Sequence, residues 1–144
     1  MNWFECKISY EKIMESGSVK KVTEPYLVDA LSHAEAEARI IEEIRPYISG
    51  EFTVVTVKRA RISELFFNES GDRWYRVKVA FVTLDEKSGT EKRAKVNMFV
   101  QASGIEDGIA VLEEGMKGTM ADYEFVGIEE TAIADVFPYQ NRKS

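Results

Sequence analysis

Trp3-Phe4-Glu5-Cys6-Lys7-Ile8-Ser9-Tyr10 has an echo 71 residues on, in Trp74-Tyr75-Arg76-Val77-Lys78-Val79-Ala80-Phe81, and this pair decides how the chain is read. Trp3 falls on Trp74, Phe4 on Tyr75, Cys6 on Val77, Lys7 on Lys78, Ile8 on Val79 and Tyr10 on Phe81. Further out, a shift of 72 sets Gly17 on Gly89, Lys20-Lys21 on Lys92-Arg93, Val28 on Val100 and Ala30 on Ala102, which implies one extra residue in the second turn. A return to 71 then sets Ser32 and Glu35 on Ser103 and Glu106, Ile41 on Leu112, Phe52 on Tyr123, Val54 on Phe125, Ile62 on Ile133 and Phe66 on Phe137. Blocks repeating in one order at nearly one spacing point to an internal duplication.

The local patterns name the repeated unit. Phe4, Cys6, Ile8 and Tyr10 alternate with Glu5, Lys7 and Ser9, the period of a half-buried strand. Glu15-Ser16-Gly17-Ser18 and Asp85-Glu86-Lys87-Ser88-Gly89 read as hairpin turns. Ser32-x-x-Glu35 and Ser103-x-x-Glu106 read as capping boxes opening two helices, with Ala34, Ala38, Ile41 and Ile48, then Ile105, Ile109, Leu112 and Met116, as the apolar stripes. Pro46 is expected to distort the end of the first helix, and Gly115 with Gly118 to end the second. Strands follow from about Phe52 and Tyr123, and their Ile62–Phe67 and Ile133–Tyr139 tails call for a bend, a bulge or a short further element. The expected fold is α+β: two β-β-α-β copies, 1–70 and 71–144, building antiparallel sheet or sheets with two helices in one pseudo-twofold domain over 1–144.

Composition narrows the function classes. Apolar residues make up 44% of the 144 and charged ones 31%, a globular balance, and no run of apolar residues is long enough for a transmembrane helix. The lone Cys6 excludes an intrachain disulfide and, with no apolar leader at the N-terminus, points to the cytoplasm. Net charge is −6: residues 1–70 hold nine Lys/Arg against twelve Asp/Glu, residues 71–144 ten against thirteen, so each half is −3. Bulk charge therefore gives no support to nucleic-acid binding, although a local basic face remains available. His33 lies in the first capping box and Cys6 on the core side of its strand, so neither builds a catalytic constellation. Phosphate loops, dinucleotide fingerprints and paired Cys-x-x-Cys are missing from the sequence. Glu42-Glu43 and Glu113-Glu114 diverge by about 100° around a helix and share no site. No catalytic residue, metal site or cofactor is expected.

The outward strand faces are more informative. With Tyr75, Val77, Val79 and Phe81 inward, Trp74, Arg76 and Lys78 point out; with Val96, Met98 and Val100 inward, Arg93, Lys95, Asn97, Phe99 and Gln101 point out. Hairpin pairing joins these rows into a face of rings and cations suited to single-stranded DNA or RNA, and base stacking there predicts tryptophan quenching. In the first copy Trp3 and Lys7, with the basic run Lys58, Arg59 and Arg61, form the weaker counterpart. The expected function is a non-enzymatic binding protein using this surface. The alternative is a structural or assembly protein that buries the same face in a homo-oligomer.

Asn2–Lys7, Lys21–Ala30, Ile48–Val54 and Glu114–Tyr123 resemble an uncharacterised family of small proteins from gut Bacteroidetes and their phages or mobile elements. The resemblance runs nearly end to end. It implies no activity or site residue, only a setting in which small DNA-handling or assembly proteins are common.

Overall fold

The computed structural model describes residues 2–139; Met1 and residues 140–144, the end of the expected second copy, lie outside the described residues. Strands β1 (Trp3–Ile13) and β2 (Val19–Asp29) form a hairpin, followed by helix α1 (His33–Ile44), a 3₁₀ turn at Arg45–Tyr47, β3 (Phe52–Ala60) and the short β4 (Glu64–Phe66). The same succession continues in β5 (Arg73–Leu84), β6 (Glu91–Ala102), α2 (Ile105–Gly115), β7 (Asp122–Glu130) and the short β8 (Asp135–Phe137). The first turn closes from Met14 N–H to Ser18 O and the second from Asp85 N–H to Thr90 O, each at 2.8 Å, so the second is one residue longer. Gly17 and Gly89 take φ of +87° and +72° there, the left-handed region that glycine enters without steric cost.

The chain divides into two compact units, Met1–Ala60 with Ala132–Ser144, and Arg61–Thr131. Their boundaries therefore lie away from the sequence junction at Ser70–Gly71. Each unit holds a mixed four-stranded sheet, in the orders β3-β1-β2-β8 and β4-β6-β5-β7. Three strands of each are antiparallel, as expected; the fourth is a tail strand added parallel, β8 on β2 and β4 on β6. The sequence pattern predicts the short elements but not where they pair: each joins the sheet of the other stretch of chain. Phe137 of β8 stacks on Tyr26, and Phe66 of β4 lies against α2 at Gly115, where an added Cβ would come within 2.6 Å of the ring.

Each sheet buries one face under its helix. Phe4, Cys6, Ile8, Tyr26 and Val28 meet Ala36, Ile40 and Ile44 of α1 in one core; Tyr75, Val77, Val79, Met98 and Val100 meet Leu112 of α2 and Met116 beyond it in the other. These strand faces are the predicted ones. The helix stripes are met in part: Ile48, Leu112 and Met116 are buried as expected, but α1 buries Ala36, Ile40 and Ile44 in place of Ala34, Ala38 and Ile41, and Ile105 is exposed. The two caps differ. Ser32 caps α1 as expected, accepting from Glu35 N–H at 3.1 Å, while Glu35 reaches back to Leu31 N–H at 2.8 Å. The Ser103–Glu106 box does not form, because Gly104 takes the cap position and Asp107 reaches back to Ser103 N–H and Oγ. The helices therefore correspond at a shift of 72, Ile40 with Leu112 and Ile44 with Met116. Pro46 sits in the 3₁₀ turn that ends α1, and Gly118 takes φ +85° after α2. Among the described residues no helix is long and apolar enough to cross a membrane.

Candidate functional site

The register of β5 on β6 sets Trp74 opposite Gln101, Arg76 opposite Phe99, Lys78 opposite Asn97, Ala80 opposite Lys95 and Val82 opposite Arg93. Side chains of paired residues share a face, so Trp74, Arg76, Lys78, Arg93, Lys95 and Phe99 do stand on one side of the second sheet, away from α2. Their exposure differs from the expectation. Trp74 is 3% exposed and meets Phe67 edge-on at 5.5 Å, and Phe99 is 4% exposed beneath the Arg76 guanidinium, 5.4 Å from the ring centre. The rings are spent on packing and on a cation–π contact, so they offer bases no open platform. Trp3, in the other unit, is likewise 3% exposed.

The cations separate into two groups. Arg76 pairs with Glu129 at 2.6 Å, Arg93 with Glu124, and Arg73 with Glu130 at 4.0 Å, because β7 brings its carboxylates alongside β5. Surface pairs of this kind contribute little stability, yet each neutralises a charge that a phosphate would otherwise meet. Among the described residues no carboxylate stands within ion-pair distance of Lys78 or Lys95. Lys95 lies two positions along β6 from Asn97, the partner of Lys78, so the two lysines are diagonal neighbours, about 7–8 Å apart at the backbone. In the first unit Lys7 faces Thr56, Lys58 faces Glu5, and Arg59 donates to Asn2 Oδ1 at 2.7 Å. Arg61 follows β3 as an exposed residue.

Beside Lys78 the face opens into a cleft of about 590 Å³ lined by Arg76, Lys78, Asn97, Val126, Gly127, Ile128 and Glu129. A β-bulge makes it. Lys78 pairs with Gly127 and Val79 with Phe125, so Val126 is the extra residue, and a bulge bends its strand away from the ladder. Gly127 then stands opposite Lys78 with no side chain, and a Cβ placed there would meet nothing within 4 Å. Asn97 forms the other wall. Its main-chain carbonyl accepts from Ser63 N–H at 2.8 Å, so the lead-in to β4 holds the residue in place. Its Oδ1 is buried with no hydrogen-bond partner. A buried acceptor without a donor is costly, about 1–3 kcal/mol, so this atom calls for an N–H or O–H from solvent or a ligand. Strand alternation places Asn97 on this face in the sequence, but nothing there separates it from its neighbours. A glycine within a strand signals a bulge or a close approach, and Gly127 is such a signal.

The groups weighed for catalysis are held in other roles. His33 is exposed at the start of α1, its ring edge-on to Phe4 at 4.9 Å. Cys6 is fully buried, and burial, reinforced by Glu5 and Glu37, pushes its thiol up to about 12, leaving it protonated and unreactive at neutral pH. Glu24 accepts from both Tyr10 and Tyr26 at 3.0 Å, and burial raises both phenols above their usual range. Among the described residues no three His, Cys, Asp or Glu side chains gather as a metal site.

No curated protein and no solved structure gives a significant match to the chain. The family described as Domain of unknown function (DUF4494) matches residues 2–139, and the chain belongs to that family.

Proposed function

We propose that the protein is a non-enzymatic binding protein that holds single-stranded nucleic acid on the outer face of its second sheet. The observation that carries the reading is the pair Lys78 and Lys95. They are cations without carboxylate partners on a face whose arginines Arg76 and Arg93 are both paired, and Lys78 borders an open cleft. Two lysines at strand spacing suit two neighbouring phosphates, a small electrostatic footprint that implies modest affinity and strong salt sensitivity. Stacking on Trp74 and Phe99 is no part of this reading. The test is fluorescence anisotropy of a short labelled oligonucleotide titrated with the protein at low salt. Saturable binding with unchanged tryptophan emission is expected, since both tryptophans are buried; no anisotropy change at low salt would sink the proposal.

An assembly role has an observation of its own. The edge strands β3 and β7 expose Val55 at 51%, Phe125 at 42% and Val126 at 47%, apolar residues on unpaired ladders that a second copy could extend. It predicts a mass above 16.4 kDa by light scattering, reduced by Val126→Lys.

We also infer that the chain arose by duplication of one β-β-α-β unit. The support is that both sheets share one order, and that the register shifts fall at Lys7/Ile8 and Lys78/Val79, 71 residues apart. A cytoplasmic, phage-related setting fits the single thiol and the resemblance quoted above.

A further inference from the structure

We propose that the cleft over Gly127 is a slot for one unstacked base of a bound strand, and that Asn97 is the residue that reads it. This rests on the nucleic-acid reading and adds a base contact to it, because phosphate contacts at Lys78 and Lys95 position a strand without reading it.

The chemistry of the orphan atom selects the ligand. Asn97 Oδ1 is an acceptor, and phosphate, sulfate or carboxylate oxygens are acceptors too, so a bare anion leaves it unsatisfied. Every nucleobase carries an N–H on its pairing edge, and single-stranded recognition uses those edges on bases turned out of the stack. The space agrees. About 590 Å³ is within the range of small-ligand sites, and the missing side chain at Gly127 leaves room opposite Lys78. Val126, 47% exposed, supplies apolar surface for the base. Arg76, fixed between Phe99 and Glu129, presents a planar group of the kind on which bases stack. Lys78, central between Asn97 and Gly127 in the register, then meets the phosphate attached to the inserted nucleotide.

Gly127→Val separates slot from fold. Gly127 lacks a positive φ and its added side chain meets open space, so a β-branched residue there suits the strand while filling the cleft. A labelled oligonucleotide and a fully abasic strand of equal length are titrated against the full chain, Gly127→Val and Asn97→Leu, with thermal unfolding followed for each. The base-bearing strand is expected to bind the unaltered chain about tenfold tighter than the abasic one, the order of a hydrogen bond with its packing. Either substitution brings the two affinities together, and Gly127→Val leaves the melting temperature unchanged or raised. Equal binding of both strands by the unaltered chain overturns the slot and leaves the phosphate-binding face standing. If neither strand binds at low salt, both proposals fall.

Discussion

A Cβ built on Gly71 would lie 2.5 Å from the main chain of Ala102, whereas one built on Gly127 would meet nothing within 4 Å. The two glycines thus have opposite meanings. Gly71 permits the chain entering β5 to lie against β6, and backbone cannot yield as a side-chain tip can, so Gly71→Ala should cost about 2–3 kcal/mol, read as a lowered denaturation midpoint with unchanged slope. Cys6 offers a second check at this scale. Its thiol, raised from the ordinary 9.0 to about 12, stays protonated in the folded chain while the unfolded chain ionises near 9. Its contribution to stability is therefore complete below pH 9 and lost between pH 9 and 12. A thiol reagent at pH 8 should leave the native protein unmodified and react fully once denaturant is added. Fast native reaction would contradict the burial. The alternating pattern made Cys6 and its neighbours legible as core. The bulge at Val126 left a single mark, Gly127 within the strand, which does not by itself tell a bulge from a close approach.

At the scale of elements, the short tail strands depend on a few contacts. Arg39 of α1 donates to the carbonyls of Asp29, Phe137 and Pro138 and pairs with Glu43, and Tyr139 donates to Glu35, so α1 holds β8 against β2. Bonds to a charged donor contribute about 1.5–3 kcal/mol. Arg39→Met should accelerate amide exchange in β8 by roughly ten- to a hundredfold and leave β5 and β6 unchanged. The bond from Tyr139, with that from Leu31 N–H, holds the Glu35 carboxyl below its ordinary 4.5. That stabilisation is present above pH 4.5 and lost as pH falls through the lowered value, so β8 exchange should also quicken in acid. The β-β-α-β succession was readable because strand alternation and turn glycines are local signals. The tails' partners were not, since a three-residue strand carries no mark of the sheet it joins. The second cap misled for a related reason. Ser103-x-x-Glu106 has the right spacing, but Gly104 accepts the cap position and Asp107 is the carboxylate that reaches back.

For the whole molecule, the sheet orders mean that neither half of the sequence contains a complete unit. A chain cut at Ser70 keeps β1–β3 and α1 but loses β8, and carries β4 away from its place on β6. The 1–70 fragment should lose cooperative thermal unfolding, followed by circular dichroism; a native-like melt from it would refute the dependence on the tail. The candidate face was half legible. Alternation put the right residues on one side, but their burial and their pairing with β7 carboxylates depend on tertiary contacts. What survives is the reading of Lys78 and Lys95 as phosphate ligands, and the salt dependence of oligonucleotide binding tests it most directly. The logarithm of affinity against the logarithm of salt concentration should fall with a slope of about −1.4, at about 0.7 per phosphate on a single strand. In the Lys78→Gln, Lys95→Gln double variant the slope should approach zero. The same slope in the variant and the unaltered chain would place the phosphates elsewhere and contradict the account.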